Sequence, residues 1–321
     1  MLVKASNATR GPTRSQAGPI WAYLSLRHGV SQAERRRLED LAGGPYRGCM
    51  KHLLSRRQFA QSTLLAGAVT GLLWPGRLWA GDAAVGEQGA FTFIAVNDLH
   101  FTEAKLCGPW FERVFQAMRA SAPQAEFVLV SGDLTSECTA AEFAGIREAF
   151  EALGLPVYVT CGNHDMTDKG SHELYDRYFP DRYHYAFEHR GWQFFGFNTA
   201  NGRGYKGIAM RDSVFTWLDQ NLGSFNPAKP SVIFTHFPLG FGLERRSANA
   251  DQFLARFQGF NLQAILNGHW HGYSETTLGE AWITTNRCCS RVRHNHDGSP
   301  LKGWFVCEAR EGRITRRFVT A

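Results

Sequence analysis

FTFIAVNDLH, residues 91–100, decides the architecture. An apolar run of strand length ends directly in a polar cluster, Asp98-Leu99-His100. Near-continuous apolarity over so few residues marks a strand buried on both faces. The same grammar returns at 127–131, which runs into Gly132-Asp133, and at 156–160, which is followed by Gly162-Asn163-His164-Asp165. Between these strands lie segments of helical period, 108–120 and 139–153, the second with Phe143, Ile146, Phe150 and Leu153 on one face. A βαβαβ order predicts parallel neighbours with right-handed crossovers, so the three polar clusters gather at one sheet edge.

The second half reads the same way with shorter helices. Strands are expected at 183–187, 192–198, 231–235 and 263–266, with a helix at 211–222. Polar residues again follow, His236 after one strand and Gly268-His269-Trp270-His271 after another. The tail, with runs at 282–285, 303–308 and 314–319, is expected to form an antiparallel set closing the second sheet. The fold class is therefore α/β in layers. Neither an internal repeat nor a low-complexity linker interrupts residues 84–321, which read as one catalytic domain.

The charge is unevenly spread. Residues 1–80 carry 12 basic and 3 acidic side chains, whereas 81–321 carry 23 and 26, so the overall +6 belongs to the leader. The folded part offers no global attraction for nucleic acid, and no nucleic-acid partner is expected. Ser55-Arg56-Arg57-Gln58-Phe59-Ala60, followed by an apolar Gly- and Ala-rich stretch at 64–74, resembles a twin-arginine export signal over 50–83. The implied partner is the twin-arginine translocation machinery, and the implied location is exported and periplasmic. That stretch is too short and too interrupted by Thr63 and Thr70 for a stable membrane span. Export of folded protein would let a metal centre be loaded in the cytoplasm. Residues 1–49 read either as a start assigned too early or as a disordered extension. Of seven cysteines, six follow the leader, without a C-x-x-C pair, and are expected to act as small buried hydrophobes.

The clusters supply the chemistry. In extended backbone, residues two apart point the same way, so Asp98 and His100, or His269 and His271, can approach one ion from a strand end. Gly132 and Gly268 are expected to remove a Cβ where backbone crowds that ion. Carboxylate, amide oxygen and imidazole together suit borderline or hard ions such as Mn²⁺, Zn²⁺ or iron, and no thiolate is needed. Each cluster alone is common; the ordered series Asp98-x-His100, Gly132-Asp133, Gly162-Asn163-His164-Asp165, His236 and Gly268-His269-x-His271 is not.

That series, from about residue 91 to 273, resembles the calcineurin-like metallophosphoesterases. The resemblance implies an αββα two-sheet sandwich and two divalent or mixed-valence metal ions. It assigns Asp98, His100 and His271 to one metal and Asn163, His236 and His269 to the other, with Asp133 bridging. The ions would share a water or hydroxide for in-line attack on phosphorus. His164 matches the family's non-ligating histidine, which protonates the leaving oxygen or stabilises charge. Asp165 either offsets the cations beside His164 or caps a turn.

Departures from the wider superfamily narrow the subtype. Purple acid phosphatases place a tyrosine ligand where this chain has Ser136, and protein phosphatases carry Asp-Arg-Gly where Leu134-Thr135-Ser136-Glu137 stands. The remaining group resembles cyclic-nucleotide phosphodiesterases acting on small phosphate esters. A phosphomonoesterase is the alternative within chemistry, and a catalytically silent metal-binding scaffold the alternative of another class. Gly202-Arg203-Gly204-Tyr205-Lys206-Gly207 satisfies a dinucleotide-binding spacing, but the acidic residue that fingerprint needs is replaced by Thr235-His236. It reads better as a rim loop in which Arg203 and Lys206, like Arg245 and Arg246, are solvated charges or phosphate contacts. Substrate choice is expected in loops 101–108, 166–182, 199–210 and 237–250. His172, His184 and His189 read as surface residues, and His294 and His296 as an exposed hairpin.

Overall fold

The computed structural model describes residues 89–105 and 107–321. The extension at 1–49, the export segment at 50–83 and Cys49 lie outside the described residues.

The opening strand β1 (Phe91–Val96) is buried along its whole length, as its apolar run requires. Its residues alternate between two environments. Phe91, Phe93 and Ala95 enter a seam between two sheets, while Ile94 and Val96 pack beneath helices. Those helices are α1 (Cys107–Ser121) and α2 (Ala140–Leu153). Phe111, Val114, Phe115 and Met118 of α1 recur at helical spacing and all face that core. Helix α2 starts at Thr139, whose hydroxyl accepts from the Glu142 amide while Glu142 reaches back, and it stops at left-handed Gly154.

Parallel pairing of β1 with β2 (Ala125–Val130) and of β2 with β3 (Val157–Val159) matches the βαβαβ reading. The chain then makes a 3₁₀ turn at Asn163–Asp165 and a short α3 (Glu173–Tyr178) before crossing to the second sheet. That sheet contains β4 (His184–His189), β5 (Trp192–Phe197), β6 (Ser231–Thr235), β7 (Leu262–Asn267), β8 (Ser274–Leu278) and β9 (Ala281–Thr285). The order is β4-β5-β6-β7-β9-β8. Its outer face is covered by α4 (Asp212–Asn221) and α5 (Ala250–Arg256), packed around Phe197, Val214, Leu218 and Phe253. The sequence reading did not anticipate α3, α5 or β8.

The tail departs from expectation. β10 (Gly303–Arg310) and β11 (Arg313–Thr320) join the first sheet, in the order β11-β10-β1-β2-β3, with β10 antiparallel to β1. Only β9 enters the second sheet, parallel to β7. The reason lies in β10 itself: Trp304 and Val306 fill the helix-side core, and Phe305, Cys307 and Ala309 fill the seam. A strand apolar on both faces belongs in a sheet interior, beside β1.

The layers are thus helices, sheet, sheet, helices, the αββα sandwich anticipated above. Aromatic packing fastens the seam. Phe93 stacks on Phe127 at 5.2 Å and meets Phe194 edge-on at 5.7 Å, arrangements that add to the roughly 1.5–3 kcal/mol from burying each large side chain. All six described cysteines are free and buried, as expected of small hydrophobes.

Candidate metal centre

The seven residues singled out from sequence as metal ligands come together at the ends of β1, β2, β6 and β7 and in the 3₁₀ turn. Asp98, His100, Asp133 and His271 form one group able to hold a metal ion, and Asp133, His236 and His269 form another. Asn163 adjoins the second, its Oδ1 3.0 Å from His236 Nε2. Asp133 belongs to both because its two oxygens diverge: Oδ2 lies 3.4 Å from His100 Nε2 and Oδ1 3.2 Å from His236 Nε2.

Convergence is achieved differently from the sequence expectation. Asp98, His100, Asp133, His269 and His271 do not continue as extended strand; each has a left-handed backbone, with φ of 53°, 48°, 52°, 68° and 51°. Such non-glycine residues each cost about 1–3 kcal/mol and persist where surrounding structure over-determines them. Here the surroundings are visible. The amides of Asp98 and His100 donate to the carbonyls of Gly132 and Asp133, and the His269 amide donates to the Asp98 carboxylate.

Gly132 and Gly268 face protein atoms and not an open ion site. A Cβ on Gly132, at φ 76°, would meet the His236 ring at 2.5–2.7 Å, and one on Gly268 would meet the Ser131 carbonyl at 2.5 Å. These glycines make room for protein atoms, so that two strand ends can approach.

The outer nitrogens explain how the imidazoles are aimed. His236 Nδ1 lies 3.0 Å from the Ser131 carbonyl, His269 Nε2 3.0 Å from the Tyr205 carbonyl, and His271 Nδ1 3.3 Å from the His294 carbonyl. Donation of that N–H to a carbonyl leaves the opposite nitrogen facing inward as a lone pair, the usual support for a metal-binding histidine. His100 Nδ1 is buried without a partner, and its Nε2 faces His271 Nε2 at 3.0 Å.

Charge balance points the same way. Asp98 and Asp133 are 0 % and 1 % exposed, and among the described residues their ion partners are all histidines. Burial alone would raise both carboxyls, yet His271 beside Asp98 and His236 beside Asp133 hold them well below the carboxylate range. Burial likewise works against charge on His236 and His271, but Asp133 and Asp98 overcome it, raising His236 to about 9 and His271 well above its usual value. His100 and His269 fall instead, through burial and the neighbouring cationic rings, His269 to about 3. The two buried carboxylates thus draw positive charge toward them, onto His271 beside Asp98 and His236 beside Asp133. A donor set of carboxylate, amide oxygen and inward imidazole fits metal ions as the source of that charge.

His164 lies beside this floor. Its amide donates to Asp133 Oδ1 at 2.9 Å, and Nδ1 lies 2.7 Å from the Ser136 carbonyl, to which it donates. Asp165, left between two roles by the sequence, is a turn-holder. Its carboxylate accepts from the amides of Leu134, Thr135 and Gly162 at 3.1, 2.8 and 2.9 Å, and from the Thr135 hydroxyl. Burial, reinforced by Asp133, raises it to about 6 despite those bonds.

Above the floor opens a cleft of about 370 Å³, lined by Asp133, Asn163, His164, His269 and His271 and by a rim of Tyr205, Arg245, Val292, Arg293, His294 and His296. Of the loops expected to choose substrate, 199–210 and 237–250 reach this cleft, whereas 101–108 and 166–182 do not line it. The loop between β9 and β10 was missed, and no periodicity or motif there could have flagged it. Arg203 is occupied by Glu137 and Asp168, and Arg246 by Asp251, so both serve structure. His294 and His296 are exposed as expected, but they sit at the cleft, His296 stacking on His271 at 5.1 Å. His172, His184 and His189 are half-buried away from it, His172 and His189 paired with Asp176 and Glu126.

Fold and site together define a metal-dependent phosphohydrolase. The profile of the calcineurin-like phosphoesterases matches residues 91–273, more than half of the chain, and the protein belongs to that family. It is 26% identical over 239 residues to a Synechococcus sp. protein named "Probable cyclic nucleotide phosphodiesterase", covering 70% of this chain and 89% of that one. It is 28% identical over 174 residues to a "Probable glycerophosphodiester phosphodiesterase" of Arcobacter nitrofigilis, covering 51% and 63%. Among solved structures, purple acid phosphatase PPD1 from yellow lupin superimposes with a TM-score of 0.51 at 13% identity, over 72% of this chain and 52% of that one, a likeness of fold alone.

Proposed function

We propose that this protein hydrolyses a small phosphodiester of the cyclic-nucleotide kind, using two divalent or mixed-valence ions of manganese, iron or zinc. Asp98, His100 and His271 would hold one ion, Asn163, His236 and His269 the other, and Asp133 both. The observation that carries this reading is the divergence of the Asp133 oxygens toward two separate donor groups. Bound there, two ions supply Lewis acidity toward phosphoryl oxygens and a water ionised at neutral pH.

The chain's own residues do the rest. Outer hydrogen bonds to the carbonyls of Ser131, Tyr205 and His294 hold three imidazoles in their inward orientation. His164 keeps Nδ1 committed to Ser136, which reserves Nε2 for delivering a proton to the departing ester oxygen. The relatives' printed names support a diester over a monoester. The twin-arginine-like segment supports export to the periplasm, with residues 84–321 as the catalytic domain. No helix among the described residues is long and apolar enough to cross a membrane.

Purified protein loaded with Mn²⁺ should cleave bis(p-nitrophenyl) phosphate, and chelation should stop it. Faster turnover of the monoester p-nitrophenyl phosphate would replace the diester reading. Metal uptake without turnover of any phosphate ester would overturn the hydrolase itself.

A further inference from the structure

The cleft wall next to His164 is formed by Val292, Arg293, His294 and His296, in the loop 286–302 beyond the segment that matches the family. This irregular stretch is held rigidly. The amide of Arg293 donates to Ser290 Oγ at 3.1 Å, and its carbonyl accepts from Lys302 Nζ at 2.6 Å. Lys302 also donates to Cys288 Sγ, and Asn295 ties the turn together by donating to the carbonyls of Ser299 and Leu301 while accepting from the Cys288 amide. The backbone of one residue is thus clamped from both sides, and that residue carries a guanidinium.

Among the described residues the guanidinium of Arg293 is weakly engaged. Neither Arg293 nor Arg245, the two arginines lining the cleft, forms an ion pair among the described residues, whereas Arg203 and Arg246, outside that lining, are both paired. Its Nε is buried with no hydrogen-bond partner. Its terminal nitrogen lies 3.4 Å from His164 Nδ1, whose hydrogen already goes to Ser136, so two donors face each other and the arginine gains no acceptor there. A buried, unpaired donor costs about 1–3 kcal/mol, a cost the fold bears in holding this guanidinium at the cleft wall. Among the described residues lining the cleft, Asp133 alone is acidic. Arginine's planar fork matches the oxygens of a phosphate, and a pre-set fork loses little entropy on binding.

We infer that Arg293 is the substrate-anchoring residue of this site, holding a non-bridging phosphoryl oxygen beside His164. The inference rests on the phosphoesterase reading, and it adds a positively charged contact that the ligand motifs do not contain. With its backbone fixed by Ser290 and Lys302, the side chain orients the ester so that its departing oxygen meets His164 Nε2.

The test combines turnover with binding of inorganic phosphate to the metal-loaded protein. Arg293→Ala should lower kcat/KM for bis(p-nitrophenyl) phosphate by about 10²-fold, the scale of losing one oriented donor to the transition state. It should weaken phosphate binding in calorimetry at least tenfold, with metal content unchanged, while Arg293→Lys restores part of both. Wild-type kinetics and wild-type phosphate affinity in Arg293→Ala would overturn the inference and leave the hydrolase reading standing. If the wild type binds phosphate but turns over no ester, the function fails instead, and the phosphate affinity of Arg293→Ala still decides the role of Arg293.

Discussion

The floor and the rim of the cleft are built on opposite principles. On the floor, acidic and imidazole groups are driven into full burial, five of them on left-handed backbone, with Gly132 and Gly268 giving way to neighbouring atoms. On the rim, Tyr205 is 58% exposed and stands between the cations Arg245 and Lys206, with its side chain under no such constraint. The floor accepts strain to hold donor atoms close to one another, whereas this part of the rim leaves its side chains in solvent. The difference teaches how one cleft joins a strained, buried floor of donor atoms to an edge that water reaches.

The sharpest way to break this contrast is at Asp133, the residue the two donor groups share. Asp133→Asn should cut turnover at least about 10³-fold, since it removes one charge from both groups at once. Metal stoichiometry by elemental analysis should fall with it; normal metal content and rate would undo the bridging role. His164→Ala should cost about 10²–10⁴-fold in turnover while metal content stays at the wild-type level. Loss of metal together with activity would move His164 into the ligand set.

A third substitution separates strain from chemistry. Asp165→Ala deprives the amides of Leu134, Thr135 and Gly162 of their acceptor, so stability should fall by about 2–4 kcal/mol, read as a lower midpoint in urea. An unchanged midpoint would show that water takes over these bonds and that the turn needs no carboxylate. The smallest effect is expected on the rim. Tyr205→Ala leaves in place the backbone carbonyl that receives His269, so it should change KM a few-fold, the scale of an exposed cation–π contact, and hardly alter kcat. A large loss of kcat would show that the rim is part of the floor.

Much of the floor was legible in the sequence because a buried parallel strand announces both itself and its end. The apolar run stops where polar atoms must begin, and parallel strands bring such stops to one edge. Asp98 and His100 were paired correctly but for the wrong reason: alternation in extended backbone predicted a shared side, and left-handed residues deliver it. Arg293 had no local pattern to betray it. It sits 129 residues from His164, in an irregular loop whose geometry comes from Lys302, Asn295 and Ser290.

By itself, then, the chain order of apolar runs and polar stops determined the layered α/β class and the family, and it picked out seven residues that converge in the fold. Those are properties of short segments and of their succession. Only the tertiary structure decided that β10 sits beside β1, that Asp165 holds a turn, and that a loop after β9 closes one wall of the cleft. Each of these depends on which surfaces lie opposite one another once packed, and two-sided burial or an unpaired donor exists only after the partner surface has arrived.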